Sequence, residues 1–224
     1  MLQIIIESFS FCFAIFMGLR AYAKLRPFHK LILFQLITWF LVYLTSYGIT
    51  IYQQNNYLPK NNQWLFNLYM FAETLLLAVA AYVQLVSKKR KRILYVFLFL
   101  FFIAFVIQLA HDGPGVFANY ACAVESIFLT IAFLLVLYEQ FQILDHGFIR
   151  SPVIITCLAF IVFYGCNAPY FSFFGLLQKS YPYVSLFLFH LIIDVLSNIR
   201  YLLLAWVFWL ILKDRQLIMK PDEK

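Results

Sequence analysis

Long apolar runs alternate along this chain with short polar connections. Seven runs stand out, at about Leu2–Ala21, Leu31–Tyr52, Trp64–Val86, Ile93–Ala110, Val116–Phe141, Val153–Ala168 and Val184–Leu212. A helix that crosses a bilayer needs about 17 to 25 predominantly apolar residues, and most of the runs reach that length. The sixth is the shortest and the seventh the longest, which predicts tilt or an irregular end there. The pattern predicts an all-α polytopic membrane protein, residues 1–224 forming one transmembrane domain of seven helices.

The connections differ in charge. The first, third and fifth, with the C-terminal tail, hold Arg20, Lys24, Arg26, Lys30, the block 88–92, Arg150, Lys213, Arg215, Lys220 and Lys224, which is 14 of the 17 cations. The opposite connections hold only Lys60 and Lys179. The positive-inside bias then places the N-terminus outside and the C-terminus inside. QQNNYLPKNNQ (53–63), HDGPG (111–115) and NAPYFSFFGLLQKSYP (167–182) read as outer turns, and KLRPFHK (24–30) as an inner one. Within the last outer connection, FSFFGLL reads either as a re-entrant or interfacial segment or as a loop over the helix ends. The first run has no leading cations, carries Glu7 and is followed by a basic cluster, so it is expected to be a retained, N-out helix rather than a secretory signal. No inner connection is long enough for a soluble module, so output to the cytoplasm is expected to pass through a partner.

Composition strengthens the membrane assignment. At 64% hydrophobic and 12% charged residues, the chain has more apolar surface than a soluble domain could bury. The net charge of +7 does not point to nucleic acid, because the cations sit in blocks between apolar runs rather than along one face. The block SKKRKR suits anionic membrane lipid, although inside anchoring explains it equally well.

The stretch Asn67 to Arg92 carries the most information, with a spanning run, Glu73 inside it and the cationic stop at its end. Asn67-x5-Glu73-Thr74 is matched by Asn119-x5-Glu125-Ser126, which suggests duplicated helical hairpins plus a lone seventh helix. Glu73 stands fifteen residues before Lys88, as Asn198 does before Lys213. At ~1.5 Å per residue these groups would lie ~22 Å from the inner end, in the outer third of a ~30 Å hydrocarbon core.

Charge at such depth is costly, so Glu7, Glu73, Glu125, Asp194 and Arg200 are expected to face one another or a wet cavity. His190, Asp194 and Asn198, spaced by four, share one stripe of the last helix. Arg200 is turned about 240° from Asp194 and should find its counter-charge on another helix, at Glu73 or Glu125. Tyr69, Cys122, Tyr164 and Asn167 would line the same region. Ligand-binding candidates are therefore Glu7, Tyr69, Glu73, Glu125, His190, Asp194, Asn198 and Arg200, forming an outward-facing polar pocket built mainly by odd-numbered helices. The competing reading makes the same residues interhelical glue that sets register.

Other chemistries fit less well. His190 with Asp194 is a poor metal site without a second histidine, and no metal, cofactor or catalytic residue is assigned. His29, His146 and His111 read as solvated or interfacial. Cys12, Cys122, Cys157 and Cys166 show no CxxC spacing; Cys122 and Cys166 could reach a disulfide, but small core residues are the simpler reading. No lysine lies inside the last helix, which excludes a retinal Schiff base, and no phosphate loop, GxSxG or HExxH occurs. Prenyl-peptidase chemistry would need paired glutamates and a second histidine-bearing helix.

At NNQWLFNLYMFAETLLL the sequence resembles a group of small, uncharacterised bacterial seven-helix membrane proteins, through the pattern Asn67-x-Tyr69-x3-Glu73 after a polar outer loop. The resemblance implies a standalone protein of the bacterial inner membrane working beside a separate signalling protein. It implies no ligand. The expected function is a non-enzymatic receptor or sensor, or a membrane-embedded complex subunit, with membrane lipid and a membrane or cytoplasmic protein as partners. A small-solute or proton-coupled transporter is the alternative, followed by a purely structural subunit.

Overall fold

The computed structural model describes residues 2–55, 62–143 and 151–213, with side chains except those of residues 2–8, 143 and 193. Among the described residues the chain is all-α, with no strand. Its helices are α1 (Leu2–Ala21), α2 (Pro27–Asn55), α3 (Gln63–Gln84), α4 (Lys88–Asp112), α5 (Asn119–Ile143), α6 (Pro152–Ser180) and α7 (Pro182–Lys213). Six of them, α2 to α7, are long and apolar enough to cross a membrane. This makes the chain multi-pass in character, because a backbone surrounded by hydrocarbon must satisfy its own hydrogen bonds and the helix does so locally.

Local chemistry explains most helix ends. Pro27, Pro152 and Pro182 open their helices, where the missing N–H of proline would have had no partner. Gly113 ends α4 at φ 81°, a conformation that glycine adopts without a Cβ clash. The start of α4 is held from another helix. Glu139 Oε1 of α5 accepts from the Val86 and Ser87 backbone N–H groups, both at 3.0 Å, while its Oε2 lies 3.3 Å from Arg90 Nη1. A carboxylate there compensates five consecutive cations beside the positive end of a helix dipole. Lys24 Nζ donates to the Leu212 carbonyl at 2.6 Å and covers the opposite pole, the last turn of α7.

The largest departure from the sequence reading is α6. Residues 167–182 are not an outer loop: the helix continues for 29 residues through Pro169 to Ser180, and FSFFGLL is part of it. Pro169 removes one backbone donor, the partner of the Gly165 carbonyl, a loss that apolar helices packed on neighbours tolerate. The sixth helix is therefore among the longest. The other irregularity lies in α7, where His190–Leu196 is wound as a π-helix between two α-helical parts. Widened turns of this kind alter which residues share a face.

The packing order closes on itself. α1 lies along α7, α7 against α6, α6 against α5, α5 against α3, α3 against α2, and α2 meets α1 again, with α4 outside on α5. Small residues let the helices approach closely. Ala14, Ala78, Ala80, Ala81, Ala132 and Ala205 are all buried in the main core. At Gly18 a Cβ would come within 2.5 Å of Leu33 and 3.1 Å of Phe208, so α1 wedges between α2 and α7 at that level. Phe133 and Phe160 stack with centroids 4.6 Å apart across the α5–α6 seam. The ring leaves its polar interior at mid-height.

Candidate functional site

The interior polar centre is built around Glu73 of α3. Gln35 Nε2 of α2 donates to Glu73 Oε1 at 2.7 Å and to Tyr69 Oη at 2.7 Å. Tyr164 Oη of α6 donates to the same Glu73 oxygen at 2.8 Å. Arg200 Nη1 of α7 stands 3.9 Å from it, an ion pair with both side chains almost wholly enclosed. At the next residue of α3, Thr74 Oγ1 donates to Glu125 Oε1 of α5 at 2.6 Å, which brings the second carboxyl into the centre. Five helices thus converge on two carboxyls and one guanidinium.

Apolar walls enclose this charge. The Arg200 guanidinium carbon lies 3.8 Å from the centroid of the Phe163 ring and 5.0 Å from that of Tyr201, whose Oη accepts from Arg200 Nη2 at 3.2 Å. Cation–π contact and a charge-assisted hydrogen bond offset part of the desolvation that burying a cation entails. Arg200 therefore turns away from Asp194, the acidic residue of its own helix six positions before it, and takes its counter-charge from α3.

Along α3, Glu73 has ten helical residues before it and eleven after it, so it sits near the middle of the helix. The membership differs from the sequence reading. Even-numbered helices contribute Gln35 and Tyr164, so the centre does not belong to odd-numbered helices alone. Gln35 was not singled out from sequence, although an amide amid LILFQLITWFL is the same signal that marked Glu73. Tyr201 and Phe163 carried no such signal; only packing makes them neighbours of a cation.

The remaining candidates form a second region. His190 Nδ1 is 2.7 Å from Asp194 Oδ2, with His190 half-exposed, and Asn198 Nδ2 donates to the Asp194 carbonyl at 2.5 Å. Ser10 Oγ of α1 donates to Asn198 Oδ1. This stripe lies on the π-helical part of α7 and beyond it, and it ties α7 to α1 rather than to Glu73. Glu7 lies in α1, but its side chain is outside the described ones.

Several further expectations meet the structure here. The paired asparagines of the apparent repeat do different work: Asn67 binds the Pro114 and Val116 carbonyls and the Ala118 N–H, and Asn119 accepts from Gln108. Both therefore shape the α4–α5 turn. Cys122 lies one turn before Ser126 and is half-buried, and all four cysteines are free thiols, so the Cys122–Cys166 disulfide does not form. His29 is not solvated: it is buried in the first turn of α2 with its ring edge-on to Phe28. His146 is outside the described residues, and His111 is exposed beside Asp112. Among the described residues no three His, Cys, Asp or Glu side chains converge as a metal site would require.

A separate apolar groove of about 350 Å³ runs between α3 and α4, lined by Trp64, Leu68, Phe71, Phe102, Phe105 and Leu109 among others. No protein-family model, curated protein or solved structure matches this chain.

Proposed function

We propose that this is a non-enzymatic receptor-like protein, or a membrane-embedded subunit of a larger complex, whose buried Glu73–Arg200 centre couples ligand or partner binding to the relative positions of its helices. In this reading all seven helices cross a bacterial inner membrane, with the N-terminus outside and the C-terminus in the cytoplasm. The charge asymmetry of the connections supports that threading.

The observation that carries the proposal is the convergence of α2, α3, α5, α6 and α7 on one charged cluster. An ion pair held at 3.9 Å retains capacity for a different arrangement. A shift of any of the five helices changes its bonding, which is what a two-state coupling element requires.

A second reading is a small-solute or proton-coupled transporter, favoured by Glu125. It stands beside a cluster whose single guanidinium already faces Glu73, and its described hydrogen bond comes from a neutral hydroxyl.

Co-purification from native membranes in mild detergent, with mass spectrometry of bound protein and solute, tests the choice. A stoichiometric protein partner that binds wild type and is lost on Glu73→Gln supports the receptor or subunit reading. Partner binding unchanged by Glu73→Gln, with solute or proton uptake into proteoliposomes abolished, replaces it with transport.

A further inference from the structure

Among the described residues, three polar atoms of the buried centre have no hydrogen-bond partner: Arg200 Nε, Arg200 Nη1 and Gln35 Oε1. Arg200 is 4% exposed and Gln35 is fully enclosed, so surface water does not serve them. Buried guanidinium N–H and amide carbonyl groups are among the costliest to leave unpaired, and native proteins pair nearly all of them.

Both side chains border Glu73. Gln35 Nε2 and Arg200 Nη1 approach the same atom, Glu73 Oε1, at 2.7 Å and 3.9 Å. The longer separation exceeds a direct hydrogen bond and is in the range that a small bridging molecule spans. Phe163 covers one face of the guanidinium at 3.8 Å, so its in-plane N–H groups are the ones left to bind.

Charge decides what kind of molecule fits. An anion would face Glu73 and, close by, Glu125; a cation would face Arg200. The unpaired guanidinium donors need an acceptor, and the unpaired Gln35 carbonyl needs a donor. We propose that Arg200 and Gln35 form an internal binding site for a small neutral molecule that offers a hydrogen-bond acceptor beside a donor. An internal water supplies that chemistry, and so does the hydroxyl or amide group of a small solute. The inference names the ligand class of the centre described above and rests on reading that centre as functional.

Nuclear Overhauser spectroscopy of the ¹⁵N-arginine-labelled chain in lipid nanodiscs tests it. The Arg200 Nε–H resonance is assigned by its loss in Arg200→Lys. The expected result is a cross-peak from that proton either to a long-lived water or to carbon-bound protons of a co-purified solute, and this distinguishes the two sources. Gln35→Met, which removes the amide at similar length, should lose most of the cross-peak. A visible Arg200 Nε–H resonance with no cross-peak to water or solute in the wild-type chain overturns the site, whether or not any variant folds. If the cross-peak is present but Glu73→Gln leaves partner and solute binding unchanged, the site stands and the proposed function fails. If the cross-peak is absent while Glu73→Gln is defective, the reverse holds.

Discussion

The Glu73 centre and the His190 stripe look alike in the sequence, each a carboxylate in an apolar run with polar residues at helical spacing, yet the chain treats them differently. Glu73 is met by side chains from α2, α6 and α7 inside a closed ring, whereas Asp194 is met by His190 of its own helix, with His190 half-exposed. In the first region removing one member strands another, because the partners lie on different helices and water cannot replace them. In the second, His190 and Asp194 lie one turn apart and move together, and the stripe reaches another helix only at its end, where Ser10 of α1 bonds Asn198. An intramembrane polar residue is therefore informative about coupling only when its partners are distant in sequence.

Substitutions can break or sharpen this contrast. The largest effect is expected for Arg200→Met, which leaves the Glu73 carboxylate enclosed without a cation and should cost about 3–5 kcal/mol in thermal or SDS unfolding. Adding Glu73→Gln to Arg200→Met should restore much of that loss. If the two losses simply add, the ion pair is not the organising interaction. Glu73→Gln alone is expected to cost about 3 kcal/mol, the low end for a broken buried pair, since Tyr164 and Gln35 keep an amide to bind but Arg200 loses its counter-charge. A smaller change, about 0.6–1.7 kcal/mol, is expected for Glu125→Gln, where the amide oxygen can still accept from Thr74. Asp194→Asn should change stability least, by about 1 kcal/mol or less, because its ion pair is with a half-exposed histidine on the same helix. If Asp194→Asn destabilises as much as Arg200→Met, the two regions are not different in kind.

Much of this arrangement was legible in residue order. Arg200 was expected to find its counter-charge on another helix, because six residues turn it away from Asp194, and Glu73 supplies it. Gln35 was legible in principle, as an amide within an apolar run, but nothing in the sequence says which polar residue of α2 reaches α3. Thr38 and Thr45, also polar and on α2, bond back to carbonyls of their own helix instead. Glu139 lies inside the fifth apolar run, where its distance from the 88–92 block hides its contact with the start of α4. The extension of α6 through Pro169 could not be read from a local proline rule, because the helix survives there through packing on its neighbours.

The sequence by itself determined that the chain is helical and apolar enough to form multiple membrane-crossing elements, because the length and period of the apolar runs act through the backbone and solvent alone. It also determined that a few charges would be held within those elements at a cost. Only the tertiary structure decided which charges meet. The closure of α1, α2, α3, α5, α6 and α7 into a ring, with small residues setting how closely the helices approach, brought Gln35, Glu73, Tyr164 and Arg200 together and left His190 at the side. Those contacts join residues 38 to 127 positions apart, a separation over which no local pattern carries information.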